Sequence, residues 1–239
     1  MLPLSYDLHI HSCLSPCGDE DMTPANIVGM AALKELDVIA VTDHNSCKNC
    51  PAVEALGRAY GVLTIPGMEL TTQEEVHVVC LFRELSQAME FDAYVYEHLL
   101  PVPNREDIFG RQLIMDEEER ILGKVENLLI NSTDIAFDRV FSLVSAYGGI
   151  MIPAHIEKNA NSLFSNLGFV PPDSRFRCFE LKNREKLREV QSLSPYLKDC
   201  KMITNSDAHY LEHIHEPLNF LHCQEKSVEA VFEALRGNG

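Results

Sequence analysis

Short runs of apolar and β-branched residues recur along the chain, each bounded by polar or turn-forming positions. They fall at Leu8 to Ile10, Val38 to Thr42, Leu63 to Ile65, Val76 to Phe82, Ile150 to Ile152, Cys178 to Leu181 and Met202 to Thr204. Runs of this length predict buried strands. Segments with helical spacing separate them. Thr23 before Pro24 predicts a capped helix start, and Ile27, Met30, Ala31 and Leu33 then share one face of a helix running to Leu36. Pro51 to Tyr60, Ala136 to Tyr147 and Ser227 to Leu235 read as helices in the same way. Strand alternating with helix predicts a parallel sheet, here closed into a barrel with functional residues at the carboxyl ends of its strands. The stretch from Arg83 to Thr133 breaks the alternation. It holds a turn at Pro101-Val102-Pro103-Asn104 and an acidic run, Asp116 to Glu119, expected to open a helix reaching about Leu129. We read it as a helical insertion covering one end of the barrel.

With 239 residues, 46% of them hydrophobic, the chain can bury one sizeable core, so a single domain over residues 1–239 is expected. The first residues have neither a basic start nor an apolar signal core, and no later stretch holds eighteen unbroken apolar residues. A soluble, cytosolic protein with no membrane partner is the expectation. Twenty Lys and Arg against thirty-six Asp and Glu give a net charge of −16, which repels long duplex nucleic acid. A small phosphorylated substrate or short oligonucleotide stays compatible, because bound cations invert the local field. The eight cysteines read as reduced thiols, with Cys80, Cys178, Cys200 and Cys223 in or beside apolar runs as small core residues.

Candidate chemistry gathers at the strand ends. His9 and His11 are one residue apart, so a β-strand can turn both to one ion while Leu8 and Ile10 pack the other way. Asp43 and His44 follow Val38 to Thr42, Glu69 follows Leu63 to Ile65, and His77 opens the next run. His155 follows Ile150 to Ile152, and Asp207 and His209 repeat the one-apart spacing after Met202 to Thr204. Each alone could be a satisfied buried residue; jointly they predict a polynuclear metal centre in which Glu69 bridges ions about 3.5 to 4 Å apart. Cys13, Cys17, Cys47 and Cys50 form CxxxC and CxxC pairs, a weaker zinc pattern on loops at the same end. His213 and His215 form a second HxH in a polar loop without a strand behind it, and read as surface residues, while His98 and His222 have no partner pattern.

The order HxH, DH, Glu, isolated His and DxH resembles the PHP family, the polymerase and histidinol phosphatase domain, from His9 to His209. That resemblance implies a distorted seven-stranded, TIM-like β/α barrel with two or three divalent ions, zinc, manganese or iron, that hydrolyses phosphoesters. It implies His9, His11, Glu69 and Asp207 on one ion, Glu69, His77 and His155 on a second, and His44 and His209 on a third. Family members usually place an Asp or His shortly after HxH to complete the third site, whereas this chain reads Ser12-Cys13-Leu14-Ser15-Pro16-Cys17-Gly18. Cys17 as a soft thiolate, Asp19, a water, or a weakly held third ion are the alternatives.

The expected reaction is hydrolysis of a small phosphomonoester, nucleotide or short oligonucleotide by water activated between cations, without a covalent intermediate. Asp43, His44 and His209 are the catalytic candidates, Asp43 as an orienting group. Asp7 is placed to steady His9 or His11, and Lys158 is the first choice for a substrate phosphate ahead of Arg105, Arg111 and Arg184. Two other readings compete. An amidohydrolase-type enzyme also begins with HxH, and an inactive PHP-like module could hold metal and bind a partner protein or nucleotide without turnover.

Overall fold

The computed structural model describes residues 1–237; the last two positions of the expected 1–239 span lie outside the described residues. The chain opens with β1 (Leu2–Ile10), α1 (Pro24–Leu33), β2 (Val38–Val41), α2 (Cys50–Tyr60), β3 (Leu63–Thr64), β4 (Gly67–Thr71) and β5 (His77–Leu81). There follow α3 (Leu85–His98), the short α4 (Glu106–Phe109), β6 (Leu113–Met115), β7 (Ile121–Lys124), α5 (Phe137–Ala146) and β8 (Ile150–Pro153). The last elements are β9 (Cys178–Glu180), α6 (Leu187–Leu193), β10 (Lys201–Ile203), β11 (Phe220–Cys223) and α7 (Val228–Arg236).

β1 runs parallel to β2, and β2 to β3. A parallel bridge between His44 and Glu69 leads on to β4. β4 pairs with β5 and β5 with β8, both antiparallel. Ile156 N donates to Glu180 O (3.0 Å) between the ends of β8 and β9. β9 runs parallel to β10, and an Ile10–Ala208 bridge returns to β1. With β3 and β4 taken as one interrupted strand, these are the staves of a distorted, TIM-like α/β barrel, the class expected. The parallel order fails at β5. Its reversal sets His77, the first residue of β5, opposite Thr71, the last residue of β4. That is how a histidine at a strand start reaches the rim formed by the carboxyl ends of the other strands.

Side-chain alternation builds the layers. Leu4, Tyr6 and Leu8 of β1, Val38 and Ala40 of β2, Val79 and Leu81 of β5, and Ile150 and Ile152 of β8 share one buried cluster with Phe232 and Leu235 of α7. The intervening residues face the helices. Ile39 and Val41 pack with Ile27, Val28 and Val53 of α1 and α2, while Val78 and Cys80 pack with Phe91 of α3 and Val140 of α5. Thr23 accepts a hydrogen bond from Asn26 N at the start of α1, as its Thr-Pro start predicts.

Two local expectations are corrected. The acidic run at 116–119 does not open a helix: Oδ1 of Asp116 accepts from Glu118 N (3.1 Å) and Arg120 N (2.9 Å), closing the turn between β6 and β7. An aspartate bonding its own following backbone competes with helix formation, and here it wins. The insertion is therefore a helix, α3, followed by a short helical turn and a β-hairpin. Leu8 and Ile10 do not pack together either. Leu8 lies in the barrel interior and Ile10 against α1, because the β1–β2 register shifts between Asp7 and Ile10. This bulge-like irregularity brings His9 inward directly after Leu8, the re-aiming effect such irregularities have at barrel rims. Among the described residues no helix is long and apolar enough to cross a membrane.

Candidate metal centre

The residues named from the strand ends meet at one rim. Glu69, on β4, is almost fully buried and lies at the centre. Its Oε1 is 3.2 Å from His9 Nε2, 2.9 Å from His77 Nδ1 and 3.1 Å from His155 Nε2. Its Oε2 is 3.4 Å from His11 Nε2 and 3.0 Å from His44 Nδ1. Asp207 Oδ1 lies 3.6 Å from His9 Nε2 and 3.4 Å from His11 Nε2. Donor atoms converge as His9, His11 and Glu69, as His44, Glu69 and His77, and as His11, His44 and His209. His155 and Asp207 reach the cluster from left-handed backbone, with φ of 30° and 53°. Strained conformations of this kind persist where the surrounding structure over-determines them, most often at functional sites.

Hydrogen bonds behind the rings fix their tautomers. His9 Nδ1 donates to Glu180 Oε2 at 3.0 Å. Ser15 Oγ donates to Asp43 Oδ1 at 2.7 Å, so it accepts from His11 Nδ1 at 3.0 Å. His11 Nε2 is therefore unprotonated and faces His9 Nε2 at 3.2 Å, with carboxylate oxygens beyond both; in the metal-free protein a proton on His9 Nε2 can bridge the two rings. Once that proton leaves, the facing lone pairs repel unless a metal cation sits among them. Ligands about 2.1 Å from one ion are themselves about 3.0 to 3.4 Å apart in octahedral or tetrahedral geometry, the spacing found here. The crowding on Glu69 agrees: one oxygen cannot accept three in-plane hydrogen bonds.

The electrostatics point the same way. Burial alone would lower the pKa of His9, yet Glu180, Glu69 and Asp207 hold it well above the usual histidine value. Burial alone would raise Glu69, yet His77, His9 and His44 hold it well below the usual carboxylate range. Asp207 is likewise held low, against its burial, by His9 and His11. His11 is pushed down by burial and by His44. Glu69, Asp207 and Glu180 thus make a negatively charged pocket in which a proton on His9, or a bound cation in its place, offsets the cost of burying carboxylates.

Not every named residue joins the cluster. Asp43 accepts from Ser12 N (2.7 Å), Ser12 Oγ (2.6 Å) and Ser15 Oγ, so it braces the loop behind His11 and stands outside the ligand atoms. Asp7 accepts from Ser206 N and His215 N, tying β1 to the loops after β10; it does not touch the histidines it was expected to steady. Lys158 Nζ reaches Asp207 Oδ2 at 3.1 Å. Arg105 and Arg111 are taken by Asp107 and Glu20, and Arg184 by Thr204 and Asn219. The four loop cysteines do not gather. Cys13 packs on Met115, Cys50 lies against Val41 and Gly67 carbonyls, and Cys17 Sγ is 3.1 Å from His209 Nε2.

Sequence reading missed Glu180 and Lys182. Glu180 is fully buried, binds His9, and accepts from His155 N (3.2 Å) and Asn205 Nδ2 (2.7 Å). A charged residue inside the apolar run Cys178 to Leu181 was the available signal, since a buried carboxylate needs partners. Lys182 Nζ bonds Ser206 O and lies 3.9 Å from Asp207 Oδ2; nothing in its sequence context distinguishes it.

A barrel whose rim collects imidazoles and carboxylates defines a metal-binding protein of the α/β-barrel class. The model of the PHP domain matches residues 7–175, and the chain belongs to that family. It is similar in structure to the lesion-specific endonuclease EndoQ of Pyrococcus furiosus, with TM-score 0.72 and 20% identity over 100% of this chain and 57% of that one. A structure of Endonuclease Q in complex with a 27-mer duplex substrate with an abasic lesion at the active site gives TM-score 0.74, 19% identity and the same coverage. A proposed metal-dependent phosphoesterase from Bifidobacterium adolescentis gives TM-score 0.64 and 16% identity, over 99% of this chain and 97% of that one. An uncharacterized protein of Methanocaldococcus jannaschii is 34% identical over 76 residues, 28% of this chain and 44% of the relative. The chain thus spans less than two thirds of that relative and of the Endonuclease Q chains.

Proposed function

We propose that this chain is a metal-dependent phosphoesterase acting on a small phosphomonoester, a nucleotide or the end of a short oligonucleotide. The observation that carries the reading is the convergence of His9 Nε2 and His11 Nε2, 3.2 Å apart, on carboxylate oxygens of Glu69 and Asp207. His9, His11, Glu69 and Asp207 would hold one ion, Glu69, His77 and His155 a second, and His44 and His209 would take part in a third. Bound divalent ions would supply charge neutralisation at the phosphoryl oxygens and acidify the attacking water. Glu180 and Ser15 keep His9 and His11 in the tautomers that offer Nε2. Lys158 and Lys182, both beside Asp207 at the open edge, would receive phosphoryl oxygens by charge-assisted hydrogen bonds. Asp43 acts as a positioning residue through Ser12 and Ser15.

A second reading, cleavage of damaged DNA, is favoured by the structural likeness of the whole of this chain to 57% of the Endonuclease Q chains. The net charge of −16 weighs against unaided binding of a long duplex. One experiment separates the readings: metal analysis of the purified protein, then phosphate-release and strand-cleavage assays on phosphomonoesters, nucleotides, cyclic amides and an abasic-site duplex. His9→Ala and Asp207→Ala run alongside. Metal uptake with phosphoester turnover, lost in both variants without loss of fold, is expected. Near-normal turnover by either variant, or hydrolysis of the amides alone, refutes the proposal.

A further inference from the structure

We infer that Cys17 is a thiolate ligand which, with His44 and His209, completes a third cation position selective for a soft metal such as zinc. This rests on reading the rim as a metal centre. His209 Nδ1 donates to the Asp207 carbonyl at 2.9 Å, which leaves Nε2 unprotonated, and that atom faces Cys17 Sγ at 3.1 Å. A tetrahedral zinc with bonds of about 2.05 Å to nitrogen and 2.3 Å to sulfur needs about 3.6 Å between those two ligand atoms. The observed gap is half an ångström short, within the reach of a small side-chain rotation.

Independent of the cysteine, the neighbouring donors lack partners. His44 Nδ1 and Glu69 Oε2 are buried 3.0 Å apart, and neither makes a hydrogen bond. His44 is 3% exposed. His11 Nε2 belongs to the same group of donors but also faces Glu69 and Asp207 at 3.4 Å, on the side of the ion assigned to His9. Asp19, the other nearby candidate, uses Oδ1 to accept from Asp21 N at 2.9 Å. The loop itself is shaped to bring Cys17 in: Gly18 N donates to Ser15 O (2.9 Å), and a Cβ on Gly18 would come within 2.3 Å of Ser12 O. A soft sulfur ligand where oxygen would favour manganese shifts preference towards zinc. Coordination replaces the S–H bond by a metal–sulfur bond, and the proton leaves to solvent.

The test is X-ray absorption on zinc-loaded protein, with metal counts after loading from an equimolar zinc and manganese mixture, for wild type, Cys17→Ser and Cys17→Asp. Expected are one sulfur scatterer at about 2.3 Å in the wild type, none in either variant, and a manganese share that rises at least several-fold in Cys17→Asp. Ions bound without any sulfur scatterer, or identical metal counts and preference in all three proteins, overturn the assignment of Cys17 while leaving the metal centre standing. A protein that takes up no ion overturns both. Cobalt-loaded wild type should also show a sulfur-to-metal charge-transfer band that Cys17→Ser lacks, and its absence from the wild type counts equally against a thiolate ligand.

Discussion

Glu180 gives the most exacting test of the proposed centre, because it touches no proposed ion position and acts through His9 Nδ1 and the backbone N–H of His155. Glu180→Gln preserves shape and burial but removes the charge that pairs with His9 Nδ1 at 3.0 Å. A glutamine must also set its NH2 either against Asn205 Nδ2 and His9 Nδ1, which share Oε2, or against His155 N at Oε1, all of them donors. A hydrogen bond to a buried charged group is worth about 1.5 to 3 kcal/mol. Loss of the carboxylate behind a metal-binding histidine weakens metal affinity about 10- to 100-fold, or about 1.4 to 2.7 kcal/mol. The two ranges overlap, so a 10- to 100-fold rise in the metal dissociation constant is expected. Competition against a chromophoric chelator at fixed pH measures it, and circular dichroism checks that the fold survives. An unchanged constant in folded Glu180→Gln would refute the claim that this carboxylate sets the ring's tautomer and basicity.

Other outcomes follow from the same geometry. In the metal-free protein His9 is held above its usual pKa, so the stability it contributes is fully present below about pH 6.5 and is lost as pH rises through the raised value. The metal-free melting temperature should therefore fall on going from neutral to alkaline pH, with a smaller fall when metal is bound. Metal binding near neutral pH should release about one proton per ion at the His9 position, read by calorimetry in buffers of different ionisation enthalpy; no buffer dependence would contradict it. Ser15→Ala should weaken metal binding less than Glu180→Gln, since it removes a neutral acceptor behind His11 and also one of the hydrogen bonds to Asp43. Leu8→Ala, in the sealed barrel interior, should cost about 2 to 5 kcal/mol in urea unfolding, and a cost below 1 would misplace Leu8.

Much of this was legible in the chain. Short continuous apolar runs placed most of the barrel strands, and ligand-type residues at their ends placed the rim, because strand ends are where a barrel exposes side chains without breaking its core. Reversal of β5 was not legible: an apolar run has no direction, and only the pairing of Thr71 with His77 reveals it. β4 was hidden because Gly67 and Glu69 interrupt its apolar pattern, and β11 because only Leu221 and Cys223 face inward. The hairpin at 113–124 was missed because a local aspartate turn overrode a charge pattern that suits a helix start. Glu180 takes the role expected of Asp7, since proximity in sequence favoured the residue near His9 while contact in space favours the one on β9.

The backward course of β5 has a topological cost. Its last residues lie far from the rim, so the chain needs α3 to climb back before it can rejoin the fold, and it does so where Thr133 N donates to Thr71 O. Everything between Leu99 and Thr133, which a bridge ties together at its base, is surplus to the climb and hangs as an eave above the ligands. Asn45 and Asn49 fasten its underside to the mouth of the barrel. On the proposed phosphoesterase reading, substrate preference can accordingly drift by rebuilding that overhang while every stave beneath it stays where it is.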